Sequence, residues 1–430
     1  MEQTLENALN NLKNLGTPER IRIMATQGVK PAKRPRLNAH IHLPPNFSAF
    51  ETVDQVLTLA AEQKIGVLGV SNYYDFGAYG PFAAGAQKAG IFPIFGLEII
   101  CLIDDLVRSG VRVNDPGNPG KYYFCGKAIS RLAPMSGRAQ EIIRKIRTND
   151  ADRMRKVAAA LGKVFEKNGV AVSLSSDDII DRIVRRHGSP RESVTLQERH
   201  AAQAYQEVLF EKVPETERPA LLQKILGSAC PQNPNNAVAV QNAIRSALMK
   251  AGKAAFVEES FVTFEEAREL ILELGGVPCY PTLADGASPV CEYETPAQHL
   301  AETLQASGIH AAEFIPIRNS AETLTEYVTT LRRAGLVVTA GTEHNTLDLI
   351  PIEPTCLKNV PVPEPVQAIF WEGACVMAAH QFLTLQGECG YVDAQGQPNL
   401  AYAGADERIH GLAAIGAAVI RQYQDVCAGK

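Results

Sequence analysis

The chain has 430 residues, of which 46% are hydrophobic and 21% are charged, and its formal net charge is −5. This length suffices for a large core and for more than one structural unit. The acidic balance argues against broad binding to nucleic acids or anionic membranes, since both require a basic surface. No apolar run is long enough to span a bilayer, and the N-terminus lacks the apolar core of a signal peptide, so we expect a cytoplasmic protein.

The predicted elements alternate between strands and helices along much of the chain, after an N-terminal extension at residues 1–35. Short apolar runs rich in β-branched residues predict seven strands, at 36–43, 66–73, 92–102, 121–128, 276–283, 309–316 and 336–343. Helical patterns lie between most of them. Such alternation is typical of a parallel sheet, and seven strands predict a closed or nearly closed α/β barrel similar to a TIM barrel. A doubly wound open sheet is the alternative, although no GxGxxG turn follows a strand.

The alternation breaks at residues 130–260, where the chain is charged and rich in helical patterns. We interpret this range as a helical insertion carried by one barrel loop, and such insertions tend to cover an active site. The barrel would then comprise 36–129 and 261–345. A proline-rich connection after Asn345 leads into a C-terminal helical extension at 346–430, which we expect to pack on the barrel.

The strongest local signal for chemistry is a His-x-His pair, His40 and His42, at the end of the first predicted strand. Alternation along a strand places both imidazoles on one face, where they can bind one divalent cation. A buried neutral pair held by hydrogen bonds is the alternative.

Two carboxylates, Glu98 and Glu343, end later predicted strands within apolar sequence. A buried acid is costly unless it is paired or bound to a metal. Since strand ends of a barrel converge at one face, the two histidines and two acids predict a four-ligand metal site. A salt bridge to an arginine such as Arg318 is the alternative for the acids.

The order of these motifs resembles the PHP (polymerase and histidinol phosphatase) family, in particular its nucleotide phosphoesterases that carry a helical insertion. The resemblance spans residues 36–345 and begins with the His-x-His pair. Gly96-Leu97-Glu98 is similar to the family's Gly-Val-Glu, and Gly341-Thr342-Glu343 is similar to its Gly-Ser-Asp. Glu-Arg-His at 198–200 is similar to the family's Arg-Pro-His, and the helix at 264–276 is similar to one that leads into a family strand. It implies a distorted seven-stranded barrel, which in the family binds three metals.

This chain departs from the family pattern in an ordered way. Ser71-Asn72-Tyr73 stands where the family has Thr-Asp-His, and Tyr123 and Asn345 stand in place of two further histidines. The ligands of the family's first metal correspond to His40, His42, Glu98 and Glu343 in this chain. A phenol titrates near pH ~10 and replaces imidazole poorly. The resemblance therefore implies one divalent ion, preferably zinc, with manganese or iron as alternatives.

Further polar residues are predicted to complete the site. Those expected to bind the substrate are Asn72, Tyr73, Tyr123, Arg318 and Asn345. Those expected to act as acid or base are Asp75, His200 and His344. For each set there is a simpler alternative. Among the substrate-binding candidates, the tyrosines and asparagines would only fill volume left by lost metals, and Arg318 would pair with Glu313. Among the acid or base candidates, Asp75 would be a turn aspartate, and Arg199-His200 would lie on a solvated helical face.

These features favour a metal-dependent hydrolase of a small substrate, with a phosphoester as the class that the resemblance suggests and a metal-bound water as nucleophile. Two alternatives remain open. One is a non-hydrolytic lyase or isomerase of a sugar-like substrate, favoured by the loss of two metals and the gain of tyrosine and asparagine. The other is a catalytically silent, PHP-like binding protein. We expect neither a nucleic-acid nor a membrane partner.

Overall fold

The computed structural model describes residues 2–429, and its central feature is a sheet that curls into a nearly closed barrel. The strands are β1 (Arg36–Ile41), β2 (Ile65–Val70), β3 (Phe92–Leu102), β4 (Lys121–Lys127), β5 (Val262–Thr263), β6 (Val277–Thr282), β7 (Ala311–Phe314) and β8 (Val337–Ala340). Seven of them follow the order β1-β2-β3-β4-β6-β7-β8, and the two-residue β5 pairs with β3. The predicted α/β barrel of seven strands is confirmed.

The strand β4 runs antiparallel to both of its neighbours, β3 and β6, whereas the other paired strands are parallel. The expectation of a parallel sheet was wrong for this strand. Only a six-residue helix, Asp104–Ser109, lies between β3 and β4. An antiparallel return needs no crossover helix over the sheet, so this short connection suffices.

Helices surround the barrel, and the longest run of them separates β4 from β5. Before that run lie α1 (Glu2–Lys13), α2 (Pro18–Thr26), α3 (Val53–Glu62), α4 (Tyr79–Ala89) and α5 (Asp104–Ser109). The run itself consists of α6 (Gly137–Lys167), α7 (Ser176–His187), α8 (Glu198–Lys212), α9 (Arg218–Leu226) and α10 (Ala237–Leu248). After it come α11 (Phe264–Glu273), α12 (Ala297–Ala306), α13 (Ala321–Arg333), α14 (Glu364–Leu385) and α15 (Ala405–Cys427).

The helix α6 joins two hydrophobic cores. Its first half contributes Ile142 and Ile146 to the core of the barrel, while its second half contributes Leu161 and Phe165 to a separate core shared with α7 to α10. With 31 residues it is ~46 Å long. Its ion pairs with α11, Arg138 with Glu269 and Lys145 with Glu266, show that α6 runs antiparallel to α11, the helix that precedes β6. The second half of α6, and the helices α7 to α10 packed against it, therefore lie towards the barrel mouth.

The barrel closes without a regular ladder between β8 and β1. The backbone N–H groups of Thr342 and Glu343 donate to the carbonyl of His40, and that of His42 donates to the carbonyl of Glu343. The terminal helices α14 and α15 pack against each other, and α14 also contacts β8. Within residues 2–429, no helix combines the length and apolar character needed to cross a bilayer.

Candidate metal centre and its cavity

The two histidines of the first strand point into the barrel, as strand alternation predicts. His40 lies in β1 and His42 directly beyond it, and both are fully buried. Their rings lie 5.0 Å apart at 65°. The backbone is closely packed here, because a Cβ added at Gly341 would lie 2.3 Å from the Cβ of His40. The glycine that follows β8 thus allows the last strand to close onto the histidine pair.

Glu98 of β3 meets both histidines. Its Oε2 lies 3.2 Å from Nε2 of His42 and 3.5 Å from Nε2 of His40. Its Oε1 accepts the hydroxyl of Tyr73, whose ring stacks on His42 at 5.2 Å. Burial would raise the pKa of Glu98, but the two imidazoles beside its carboxylate lower it well below its ordinary value. Glu98 is therefore a carboxylate.

These three side chains carry lone pairs that nothing in residues 2–429 satisfies. Nε2 of His40, both ring nitrogens of His42 and Oε2 of Glu98 are buried without a hydrogen-bond partner. One ligand atom from each residue lies within 4.8 Å of the others. Two ligands of a tetrahedral zinc ion are ~3.4 Å apart, close to the two distances between Glu98 and the imidazoles. Since buried unsatisfied polar atoms are costly, the donor set fits a divalent metal ion.

Behind His40 lies a buried ion pair that connects β4 and β7. Nδ1 of His40 lies 2.6 Å from Oε1 of Glu313, and Nζ of Lys127 lies 2.7 Å from Oε2. Burial would raise the pKa of Glu313 and lower that of Lys127, but their mutual attraction outweighs it in both cases. Sequence reasoning missed this role. The signal was present, since Glu313 is an acid within an apolar strand, as Glu98 is.

A second group of donor atoms, from His40, Cys125 and Glu313, lies against this ion pair. The ammonium group of Lys127 already occupies the carboxylate of Glu313. Burial raises the pKa of the Cys125 thiol well above its usual value, so the thiolate needed for metal ligation is disfavoured. The Lys127 ammonium thus takes the place that a metal ion would occupy in this second donor group.

The structure does not bring Glu343 into the donor group of His40, His42 and Glu98. Its Oε1 accepts from Nη1 of Arg318 at 3.0 Å, and its Oε2 accepts from Nη2 of Arg318 and Nδ2 of Asn345, each at 2.5 Å. The salt bridge named as the alternative for this acid is thus the arrangement present. The alternative pairing of Arg318 with Glu313 is absent, because Lys127 holds that carboxylate.

A cavity of about 500 Å³ lies between the barrel mouth and the helices α6, α8 and α10. Glu98 and Glu343 line it, together with four of the five residues predicted to bind substrate, which are Tyr73, Tyr123, Arg318 and Asn345. Burial raises the pKa of Tyr123 to about 12, so its hydroxyl stays protonated at neutral pH. The fifth, Asn72, lies outside the cavity lining, since its amide is hydrogen-bonded to the backbone of Leu43 through both of its polar atoms.

The three residues predicted as acid or base also lie outside the cavity lining. Asp75 accepts from the backbone of Gly77 and from Arg147, in keeping with a turn aspartate. Both ring nitrogens of His344 are engaged, by Thr342 and by the carbonyl of Ile350. His200 is buried against Phe47, and its Nδ1 accepts from the backbone of Gln197. Burial lowers the pKa of His344 to about 4 and that of His200 to about 3, so both are neutral.

The cavity wall formed by α6, α8 and α10 is highly charged. The basic lining residues of the whole cavity are Lys121, Arg153, Arg199, Arg245, Lys250 and Arg318, and the acidic ones are Glu98, Asp115, Asp150, Glu198, Glu259 and Glu343. Most of them are paired with one another. Glu198, for example, accepts from Arg153 at 2.6 Å, Lys250 at 2.8 Å and Arg245 at 3.2 Å.

Arg199 is different, and sequence reasoning noted it only beside His200. Among residues 2–429 its guanidinium has no hydrogen-bond acceptor and no carboxylate within 4.0 Å, and it lies over the ring of Phe47 at 5.8 Å. Burial and the nearby charge of Arg245 lower its pKa to about 10, which still leaves it charged at neutral pH. A charged donor group without an acceptor therefore faces the cavity.

No protein-family model and no curated protein matches this chain. Among solved structures, a protein from Bifidobacterium adolescentis, provisionally named a metal-dependent phosphoesterase, is 14% identical with a TM-score of 0.53. The likeness covers 79% of this chain and 96% of that protein, and it shows a shared fold. An amidohydrolase from Chromobacterium violaceum, solved with sulfate and without metal, is 18% identical over 78% of this chain and 96% of its own, with a TM-score of 0.49.

Proposed function

We propose that this protein is a PHP-like, metal-dependent hydrolase of a small anionic substrate, with one divalent ion held by His40, His42 and Glu98. The observation that carries the proposal is the convergence of buried, unsatisfied nitrogen and oxygen atoms at the end of β1 and in β3. A divalent metal lowers the pKa of water and polarises a carbonyl or phosphoryl oxygen. Mixed imidazole and carboxylate ligands favour zinc, with manganese or iron as alternatives.

The surrounding residues support one metal rather than several. The hydroxyl of Tyr73 donates a hydrogen bond to Glu98, and burial raises the pKa of Tyr73 well above the usual value, so its phenol stays protonated and does not serve as an anionic ligand. Lys127 fills the second group of donor atoms. Glu343 is engaged by Arg318, and it becomes a fourth ligand only if that ion pair opens.

The chain also supplies groups that would position a substrate. Arg199 offers a charged, fork-shaped donor that suits phosphate or carboxylate. The hydroxyl of Tyr123 and the amide of Asn345 also line the cavity. The six basic and six acidic lining residues balance formally, so a bound dication makes the cavity net positive and favours an anionic substrate.

The test is a substrate panel of phosphate monoesters, phosphate diesters, carboxylate esters and amides, assayed with zinc, with manganese and after chelation. The expected result is hydrolysis of one phosphorylated class that depends on metal and is lost in the variants His42→Ala and Glu98→Gln. A turnover that forms a double bond or an isomer without consuming water would instead indicate a lyase or isomerase. Metal binding without turnover of any panel member would indicate a silent binding protein.

A further inference from the structure

The ion pair between Lys127 and Glu313 is buried inside the barrel and fully hydrogen-bonded. The three protons of an ammonium group are all used, since Nζ of Lys127 donates to Glu313 at 2.7 Å, to Oγ of Ser71 at 3.1 Å and to the carbonyl of Ala39 at 3.2 Å. Oε2 of Glu313 also accepts from Thr339 at 3.4 Å. A satisfied network of this kind holds its members in one geometry.

The network determines which nitrogen of His40 carries a proton. A carboxylate accepts hydrogen bonds and donates none, and the contact with Lys127 keeps Glu313 in that form. Nδ1 of His40, 2.6 Å from Glu313, must therefore be the donor. In the neutral imidazole this leaves the lone pair on Nε2, which faces Glu98.

We propose that Lys127 and Glu313 are positioning residues for the metal ligand His40, which fix its tautomer and ring orientation and thereby set the affinity of the site for a divalent cation. The inference rests on the proposed function, because it presupposes that His40 binds metal. Carboxylates that orient ligating histidines commonly account for ~10–100-fold of metal affinity. Lys127 adds the countercharge that allows this carboxylate to remain ionised within the barrel.

The test compares the wild type with the double variant Lys127→Met, Glu313→Met, which removes the acceptor of His40 Nδ1 together with both charges and leaves neither charge alone in the core. Zinc affinity is measured by competition with a chromophoric chelator. Nitrogen-15 NMR of the zinc-free proteins reports the tautomer of His40, whose signals are assigned by their loss in His40→Gln. Glu294→Gln is the matched control, because Glu294 is equally buried but lies in the connection after β6, where it bonds to Tyr280 and to the backbone of Leu283 and Ala284.

We expect the double variant to fold, to bind zinc ~10–100-fold more weakly, and to lose the single Nδ1–H tautomer of His40, while Glu294→Gln changes neither property. Zinc affinity within about threefold of the wild type, with the tautomer retained, would show that the pair serves only the fold. If the wild type binds no zinc, the proposed function fails on its own account. The NMR comparison then decides the inference, and retention of the Nδ1–H tautomer in the double variant would overturn it.

Discussion

The candidate metal centre (His40, His42 and Glu98) and the cavity wall formed by α6, α8 and α10 carry opposite kinds of unsatisfied polar groups, and Glu98 lines the cavity between them. At the metal centre, these three side chains present acceptor atoms that no donor within residues 2–429 satisfies. On the helical wall, Arg199 presents a charged donor that lies over Phe47 and has no acceptor in the described part of the chain. The metal centre is thus suited to a cation and the helical wall to an anion.

The two regions also differ in how their other charges are compensated. Inside the barrel, Lys127 and Glu313 neutralise each other out of contact with water. On the wall, three cations surround the single carboxylate of Glu198. Since the chain pairs these charges, the convergence of several unsatisfied acceptor atoms at His40, His42 and Glu98 points to a ligand there.

The largest expected effect comes from breaking the compensation inside the barrel. Lys127→Met leaves the carboxylate of Glu313 buried without its countercharge, so we expect the free energy of unfolding to fall by ~3–5 kcal/mol. Urea denaturation followed by circular dichroism measures it. Lys145→Met is the control, because Lys145 forms a half-exposed pair with Glu266 and should lose less than ~1 kcal/mol. Equal losses in the two variants would contradict the difference drawn between buried and exposed pairs.

A smaller effect, of opposite sign for binding and for stability, is expected at Arg199. Arg199→Gln should weaken the binding of inorganic phosphate to the zinc-loaded protein by ~10–100-fold, because charged hydrogen bonds contribute ~1.5–3 kcal/mol. The same change should stabilise the ligand-free protein by about 1 kcal/mol, since a half-buried charge without a partner is removed. Calorimetry and thermal unfolding measure the two effects. Arg144→Gln removes the same charge from the exposed face of α6, and an identical loss of phosphate affinity there would refute a specific role for Arg199.

The last effect concerns Asp150 on the cavity wall and is seen only as the pH changes. Burial and the neighbouring Glu259 raise the pKa of Asp150 to about 7. Arg153 and Lys121 offset this rise only in part, because each forms an ion pair with another carboxylate. The folded state therefore holds the proton more tightly than the unfolded state. Stability should fall as pH rises from the unfolded value near 3.8 to about 7. Asp150→Asn removes this loss and should be more stable above pH 7 by on the order of 1–3 kcal/mol. Parallel stability profiles of the two proteins between pH 5 and pH 8 would exclude the effect.

Much of the barrel could be predicted from sequence, because apolar runs and their spacing report burial directly. All seven predicted strands are present, and Glu98 was found as an acid within an apolar run. The antiparallel direction of β4 could not be read in the same way, since strand patterns carry no direction. It depends on the short connection from β3.

The partners of the polar side chains were harder to predict than the strands that carry them. Glu343 and Arg318 are 25 residues apart and lie on separate strand ends, so only the fold shows that they pair. Asn72 and His344 look like site residues in sequence, yet their polar atoms are used by nearby backbone and side-chain groups. The ion pair between Lys127 and Glu313 was missed because a lysine and an acid 186 residues apart give no local sign that they are in contact.

The central claim, that His40, His42 and Glu98 hold one divalent ion, is tested most directly by counting metal. Elemental analysis of the protein purified with zinc supplementation and then desalted should give one zinc per chain. The double variant His40→Ala, His42→Ala should retain none, while the folded control Glu294→Gln should retain one. Two or more tightly bound ions per wild-type chain, or none, would contradict the account.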